Sequence, residues 1–285
     1  MNPFRLHATP GKVTALALSW VLFSAGILSY FYVAGKRHAE NPDDRVTPTI
    51  SQMVSAFQSA SLEPFEEEIA EEGATQKSIW SSISSSMLWK DTAATTWRFL
   101  ISVALLFPAV VLGLHMAMFP YVGAFFLRFF QFFDKIVALS LLPILFIAFG
   151  IDELSKVMLI VIGVAPTIVL DTFNLSKSVP REQIVKAFTL GAGDLAVTYR
   201  IIFKQIWPHV LNSIRLNLKA VMLFLFAGEM IASADGLAYR IALLRRNMAM
   251  DTIVPYVLWV ALLLFLVDLA LNTINRKMHP WFQEI

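Results

Sequence analysis

The sequence predicts an all-α, polytopic membrane bundle of about six transmembrane helices with an acidic extracytoplasmic insert. Three observations predict it. Apolar residues make up 57% of the 285-residue chain and charged residues only 15%, against roughly 25% charged in soluble domains. The apolar residues gather in runs of the length that crosses a hydrocarbon layer, about 20 residues of helix. One long hydrophilic stretch, 35–96, interrupts them, and its acids outnumber its bases. The chain has no cysteine, which excludes disulfides, thiolate metal sites and cysteine nucleophiles. Its five histidines are scattered without metal-ligand spacing.

Each element follows from local pattern. Arg5, His7 and Lys12 precede an apolar run from Val13 to Ala34. That run is longer than a signal-peptide core, so it reads as a retained first span with a cytoplasmic N-terminus. Glu63, Glu66, Glu67, Glu68, Glu71 and Glu72 then place 35–96 on the outer face, since positive charge favours the cytoplasm. Ile50, Met53, Val54 and Phe57 have the spacing of an amphipathic helix, which can lie on the membrane surface or against the bundle. Trp97–Phe119 is a second span kinked at Pro108. Pro120–Lys135 reads as a Phe-rich cytoplasmic connection, Ile136–Phe149 as an outward span, and Val157–Phe173 as the return, loosened at Gly163 and Pro166 where neighbours pack closely. His209–Ile231 and Thr252–Thr273 complete the set, with Arg276 and Lys277 holding the C-terminus in the cytoplasm. Three regions result: residues 1–34, the N-terminus and first span; 35–96, the outer insert; and 97–285, a core of five spans with a cytoplasmic loop at 175–208.

That loop is the longest basic interruption of the second half. Pro180 suits the first turn of a helix, and Glu182 and Lys186 stand one turn apart as a compatible charge pair. Gly191 and Gly193 can end that helix with backbone angles closed to other residues, and Asp194 can cap the next. Leu195, Tyr199, Ile202 and Ile206 then make a second apolar stripe. The spacing predicts two short helices joined at a glycine elbow, either an ordinary amphipathic loop or a docking surface for a soluble partner. The chain carries no glycine-rich loop followed by Lys and Ser or Thr that could cradle nucleotide phosphates.

From about Pro48 to Phe282 the sequence resembles the inner-membrane permeases of binding-protein-dependent ABC transporters, in the nitrate, sulfonate and taurine branch. The family's cytoplasmic signature, Glu-Ala-Ala, three residues and Gly, closing in Ile-x-Leu-Pro, is similar to Val185-Lys186-Ala187-Phe188-Thr189-Leu190-Gly191 ending at Ile206-Trp207-Pro208. Val185 stands where the signature has Glu, Lys186 where it has the first Ala, and the interval to Pro208 is about four residues longer. Leu142–Lys156, Val164–Pro180 and Ala227–Tyr239 resemble three further stretches of that branch. The resemblance implies a type I importer fold, two permease subunits (here a homodimer) forming a pathway for a small anionic solute, two ATP-binding cassette subunits that hold ATP and Mg, and an extracytoplasmic solute-binding protein. It implies the bacterial inner membrane, no cofactor bound directly, no nucleic-acid partner and no catalysis by this chain. Glu182, Val185, Lys186, Ala187, Gly191, Gly193 and Pro208 become the expected ATPase-coupling residues, with Glu182 supplying the carboxylate that position 185 lacks or merely pairing with Lys186.

Ionisable groups inside spans are functional candidates by default. Asp171, Asn174, Glu229 and Met230 are the candidate pathway residues, although Asp171 and Asp268 can equally cap helices or pair with local bases. His115 reads as a hydrogen-bonding residue of the bundle. Arg240, Arg245 and Arg246 fall in the outer loop against the positive-inside tendency. They are read as contacts to an anion or to the binding protein, or else as plain surface charges. A permease-like membrane scaffold that does not transport, and a passive channel, are the alternative readings.

Overall fold

A computed structural model describes residues 12–40, 46–62 and 86–281. The six glutamates of the insert lie outside the described residues. Helix α1, Lys12–Glu40, covers the expected first span. Leu18, Trp20, Leu22, Leu28 and Tyr32 are exposed around it. The Tyr30 hydroxyl donates to the Pro48 carbonyl at 3.1 Å, tying α1 to the start of α2, Ile50–Leu62. Thr49 and Gln52 close that start reciprocally. The Thr49 amide donates to Gln52 Oε1 at 2.9 Å, and the Gln52 amide points back at Thr49 Oγ1, a capping box. Phe57 packs on Trp259, with ring centroids 5.9 Å apart, so α2 lies against the bundle.

Helix α3, Met87–Ala104, and α4, Phe107–Met118, together form one 32-residue candidate span, broken just before Pro108. It starts ten residues before the expected Trp97, inside what reads from sequence as insert. The reason is that Asp91, Thr95, Arg98 and Ser102 recur at helical spacing on one face, and all four are buried.

Helix α5, Pro120–Phe133, and α6, Leu142–Phe149, the latter led by a 3-10 turn from Ala138, replace the expected connection plus span. The two pieces qualify as membrane-crossing only jointly and meet at a bend of 84°. At the break, Asp134 accepts from Thr167 Oγ1 at 2.8 Å and from Lys135 at 3.0 Å. Asp134 and Lys135 lie in the turn between the two pieces.

Helix α7, Glu153–Lys177, runs unbroken through Pro166. A Cβ on Gly163 would fall 2.6 Å from the Phe224 ring and 2.9 Å from Ala138 Cβ, so this position admits its neighbours by having no side chain. Helix α8, Arg181–Thr189, leads to α9, Asp194–Ala232, then to α10, Leu237–Arg246, and α11, Met250–Met278. The expected second loop helix and the fifth span are one 39-residue helix. Pro208 sits within it, and the Asn275 amide donates to the Pro208 carbonyl at 3.0 Å.

Leu114, Ile160, Val164, Ile168, Val210, Val221 and Leu225, from α4, α7 and α9, are almost fully buried and form the centre of the main core. Leu258, Leu262, Phe265, Leu266 and Leu269 of α11 stay exposed, which suits a lipid face. Among the described residues four helices are long and apolar enough to cross a membrane, or five with the α5–α6 pair; α1 is not among them, so the count falls short of the expected six.

Candidate functional site

Helix α8 projects between the ends of two long helices, α7 and α9, and its termination is built from backbone. Gly191 has φ +83°, the Gly191 amide donates to the Phe188 carbonyl at 2.9 Å, and the Ala192 amide reaches back to the Ala187 carbonyl at 3.1 Å. This is the Schellman arrangement that a left-handed residue permits. Gly193 has an ordinary φ of −78° and itself occupies the cap position of α9, so Asp194 is a first-turn residue rather than the cap. The Glu182–Lys186 ion pair suggested by spacing is not formed among the described residues, and both side chains are exposed.

The inner face of α8 is anchored. Ala187 and Val179 are buried in the main core together with Val197, Ile202 and Ile206 of α9, with Ile184 packed alongside. Residues Val197–Ile202 form a turn of π-helix, and Tyr199 there contacts His115 of α4 at 3.1 Å between Oη and Nε2. The outer face is left open, with Val185, Phe188, Leu190 and Leu195 exposed beside Arg181, Glu182, Lys186, Asp194 and Arg200. The exposed side of α8 therefore mixes apolar and charged groups.

Asp171 and Asn174 come together with Leu175, His209, Asn212, Ser213, Leu216 and Asn217 around a groove of about 310 Å³ between α7 and α9. Ser213 donates to an Asp171 carboxylate oxygen, while Asn212 Oδ1 is buried without a hydrogen-bond partner among the described residues. Asp268 instead faces Arg215 at 3.2 Å.

Glu229 and Arg240 lie elsewhere, at the end of the bundle opposite α8. The α10 N-terminus starts from Gly236, at φ +113° and without a side-chain cap, so its free amides need partners. They find them across the bundle. The Gly236 amide donates to Asp91 at 3.0 Å, the Leu237 amide to Thr95 Oγ1 at 2.9 Å and the Ala238 amide to Glu229 at 3.2 Å.

Arg98 ties this knot. Its guanidinium donates twice to Glu153, at 2.6 and 2.7 Å, once to Glu229 at 3.1 Å, to the Asp235 carbonyl at 3.2 Å and to the Asp235 carboxylate. Lys156 joins through Glu153 at 2.9 Å and Ser233 at 2.6 Å, and Arg240 through Asp91 at 2.8 Å.

Glu229 is therefore wholly buried and saturated by internal donors rather than facing an open path, and Arg240 spends its charge on Asp91. Met230, Arg245 and Arg246 are exposed. Sequence reasoning misses Asp91, Arg98, Glu153 and Lys156. The available signal is the placement of such residues on an apolar helix at one-face spacing.

A bundle of long apolar helices with an anchored helix projecting between two of them defines an integral membrane permease. Residues 109–281 match the family described as the binding-protein-dependent transport system inner membrane component, and the chain belongs to that family, whose members are transport subunits rather than catalysts. The taurine transport system permease protein of Escherichia coli strain K12 is 28% identical over 200 residues, covering 70% of this chain and 72% of the relative. A putative aliphatic sulfonates transport permease protein of the same strain is 24% identical over 204 residues, covering 71% and 78%. In structure the chain is similar to an inward-facing form of the MetNI methionine ABC transporter, with a TM-score of 0.53 at 16% identity, covering 67% of this chain and 94% of that one. This likeness shows the type I importer fold.

Proposed function

We propose that the chain is the membrane subunit of an ATP-driven importer for a small anionic solute of the taurine, sulfonate or nitrate kind, with α8 as its contact to a separate ATPase. One observation carries the reading: α8 is fixed on its inner face by Ala187 and the Gly191 elbow yet presents Val185, Phe188 and Leu190 outward. Force applied to such an element moves α7 and α9 as rigid bodies rather than bending a loop. The names of the relatives support the solute class.

In this reading two ATPases bind ATP and Mg, two copies of this chain form the pathway, and a solute-binding protein docks at the end bearing α10. That end, with exposed Arg245 and Arg246, lies outside the cytoplasm, while α8 and both termini lie inside. Residues 175–208 are the coupling loop of the 97–285 core. Glu182, Lys186 and Pro208 belong to it: the first two on its exposed face, the third inside α9, where Asn275 partners its carbonyl. Glu182 supplies the carboxylate that Val185 does not.

Co-purification with the ATPase tests the coupling assignment directly. Phe188→Asp is expected to abolish capture of the ATPase while leaving a folded, monodisperse permease, and Glu182→Ala to weaken capture. Undiminished capture by both variants would sink the assignment.

A further inference from the structure

Lys219 sits near the middle of α9, about 15 Å along the helix from His209 and about 18 Å from Ile231 at 1.5 Å per residue. Its side chain is exposed, and among the described residues it has no carboxylate or hydrogen-bond partner. Its neighbour one turn earlier, Arg215, is turned toward α11 and meets Asp268 at 3.2 Å.

An ammonium at that depth is too far from either interface to reach water along its own stem, and leaving it in hydrocarbon is costly. The face it occupies mixes exposed Leu216 and Leu223 with His209 and Asn212 of the groove lining, and Lys219 lies one turn beyond that lining. His209, Asn212, Leu216, Lys219, Leu223 and Met230 follow one stripe at helical spacing, and the stripe opens beside Asp171, Asn174 and Asn217 in the 310 Å³ groove.

We infer that Lys219 is the mid-membrane contact for the anionic group of the transported solute, a deepening that rests on the transport reading above. The lysine attracts a sulfonate, nitrate or similar oxyanion into the low-dielectric pathway. The groove toward α8 then offers amide donors, with Asp171 available to a cationic end where the solute is a zwitterion. A compact, mobile ammonium serves this purpose because it binds an oxyanion as a point charge without fixing its orientation.

The absence of native cysteine makes the test direct. In the complete transporter reconstituted in liposomes, Lys219→Gln and Lys219→Cys are expected to lower uptake of taurine, ethanesulfonate or nitrate, whichever the wild type carries, by about ten-fold or more. Lys219→Arg should keep most of it. The thiol introduced by Lys219→Cys should react with a water-soluble maleimide, more slowly when the solute is present. Aminoethyl methanethiosulfonate, which restores an ammonium, should recover uptake where the methyl reagent does not.

Unchanged uptake in the Lys219→Gln variant, or an introduced thiol that stays unreactive in the assembled transporter, overturns the inference; the second result means a second copy of the chain covers the site. If the wild type carries none of these anions, the transport reading fails instead, and the maleimide reaction still decides whether position 219 faces water.

Discussion

Arg98 reaches Glu229 at 3.1 Å, joining α3 to the end of α9. The Arg98 side chain is 8% exposed and that of Glu229 is not exposed at all. This contact holds together the end of the bundle opposite α8.

Removing one partner alone should be severe. Arg98→Met strands Glu229, Glu153 and Asp235 without their shared cation, and breaking a buried ion pair costs about 3–5 kcal/mol. A melt in detergent monitored by size-exclusion fluorescence should show a clear drop in midpoint. The double variant Arg98→Met with Glu229→Gln should lose less than the sum of the two single changes.

At Gly236 a Cβ would fall 2.7 Å from the Glu229 carboxylate and 2.9 Å from Arg98, at a φ of +113°. Gly236→Ala is therefore expected to destabilise through both strain and clash, again read by melting.

The two glycines of the elbow after α8 should behave differently. Gly191→Ala forces a side chain into the left-handed region, at about 1 kcal/mol, and should reduce ATPase capture by several-fold. Gly193→Ala has an ordinary φ and open space around its Cβ, and should be indistinguishable from wild type in the same pull-down.

Gly163→Val should overpack the contact of α7 with Phe224, at about 1–3 kcal/mol. If Phe224 is the obstruction, adding Phe224→Ala should recover part of the loss, and the melting midpoint of the pair measures how much.

Much of the fold was legible in local pattern, because apolar runs and Gly191 report properties of single segments. The break near Pro108, the α2 helix and the left-handed elbow all follow from residue type. What failed was punctuation that tertiary packing overrides. Pro208 reads as a helix boundary, yet α9 runs through it, and Asn275 partners its carbonyl. Pro120–Lys135 reads as a connection with interfacial helix, yet its helix α5 passes as a candidate crossing jointly with α6, while Asp134 and Lys135 lie in the turn between them. The ion network was illegible for a different reason. Thr95 and Glu229 are 134 positions apart, and no local period links them, so Glu229 and Arg240 read as free to meet a solute. Lys219 is missed although it is an ionisable residue inside the expected His209–Ile231 span, the same signal that singles out Glu229.

Solute-dependent ATP hydrolysis by the reconstituted complex of this chain, its ATPase and its solute-binding protein tests the coupling role of α8 most directly. Binding protein loaded with taurine or another sulfonate is expected to raise the wild-type rate several-fold, and Phe188→Asp in α8 is expected to abolish that rise. Stimulation that survives Phe188→Asp, or a complex that hydrolyses ATP with no response to any loaded binding protein, would contradict it.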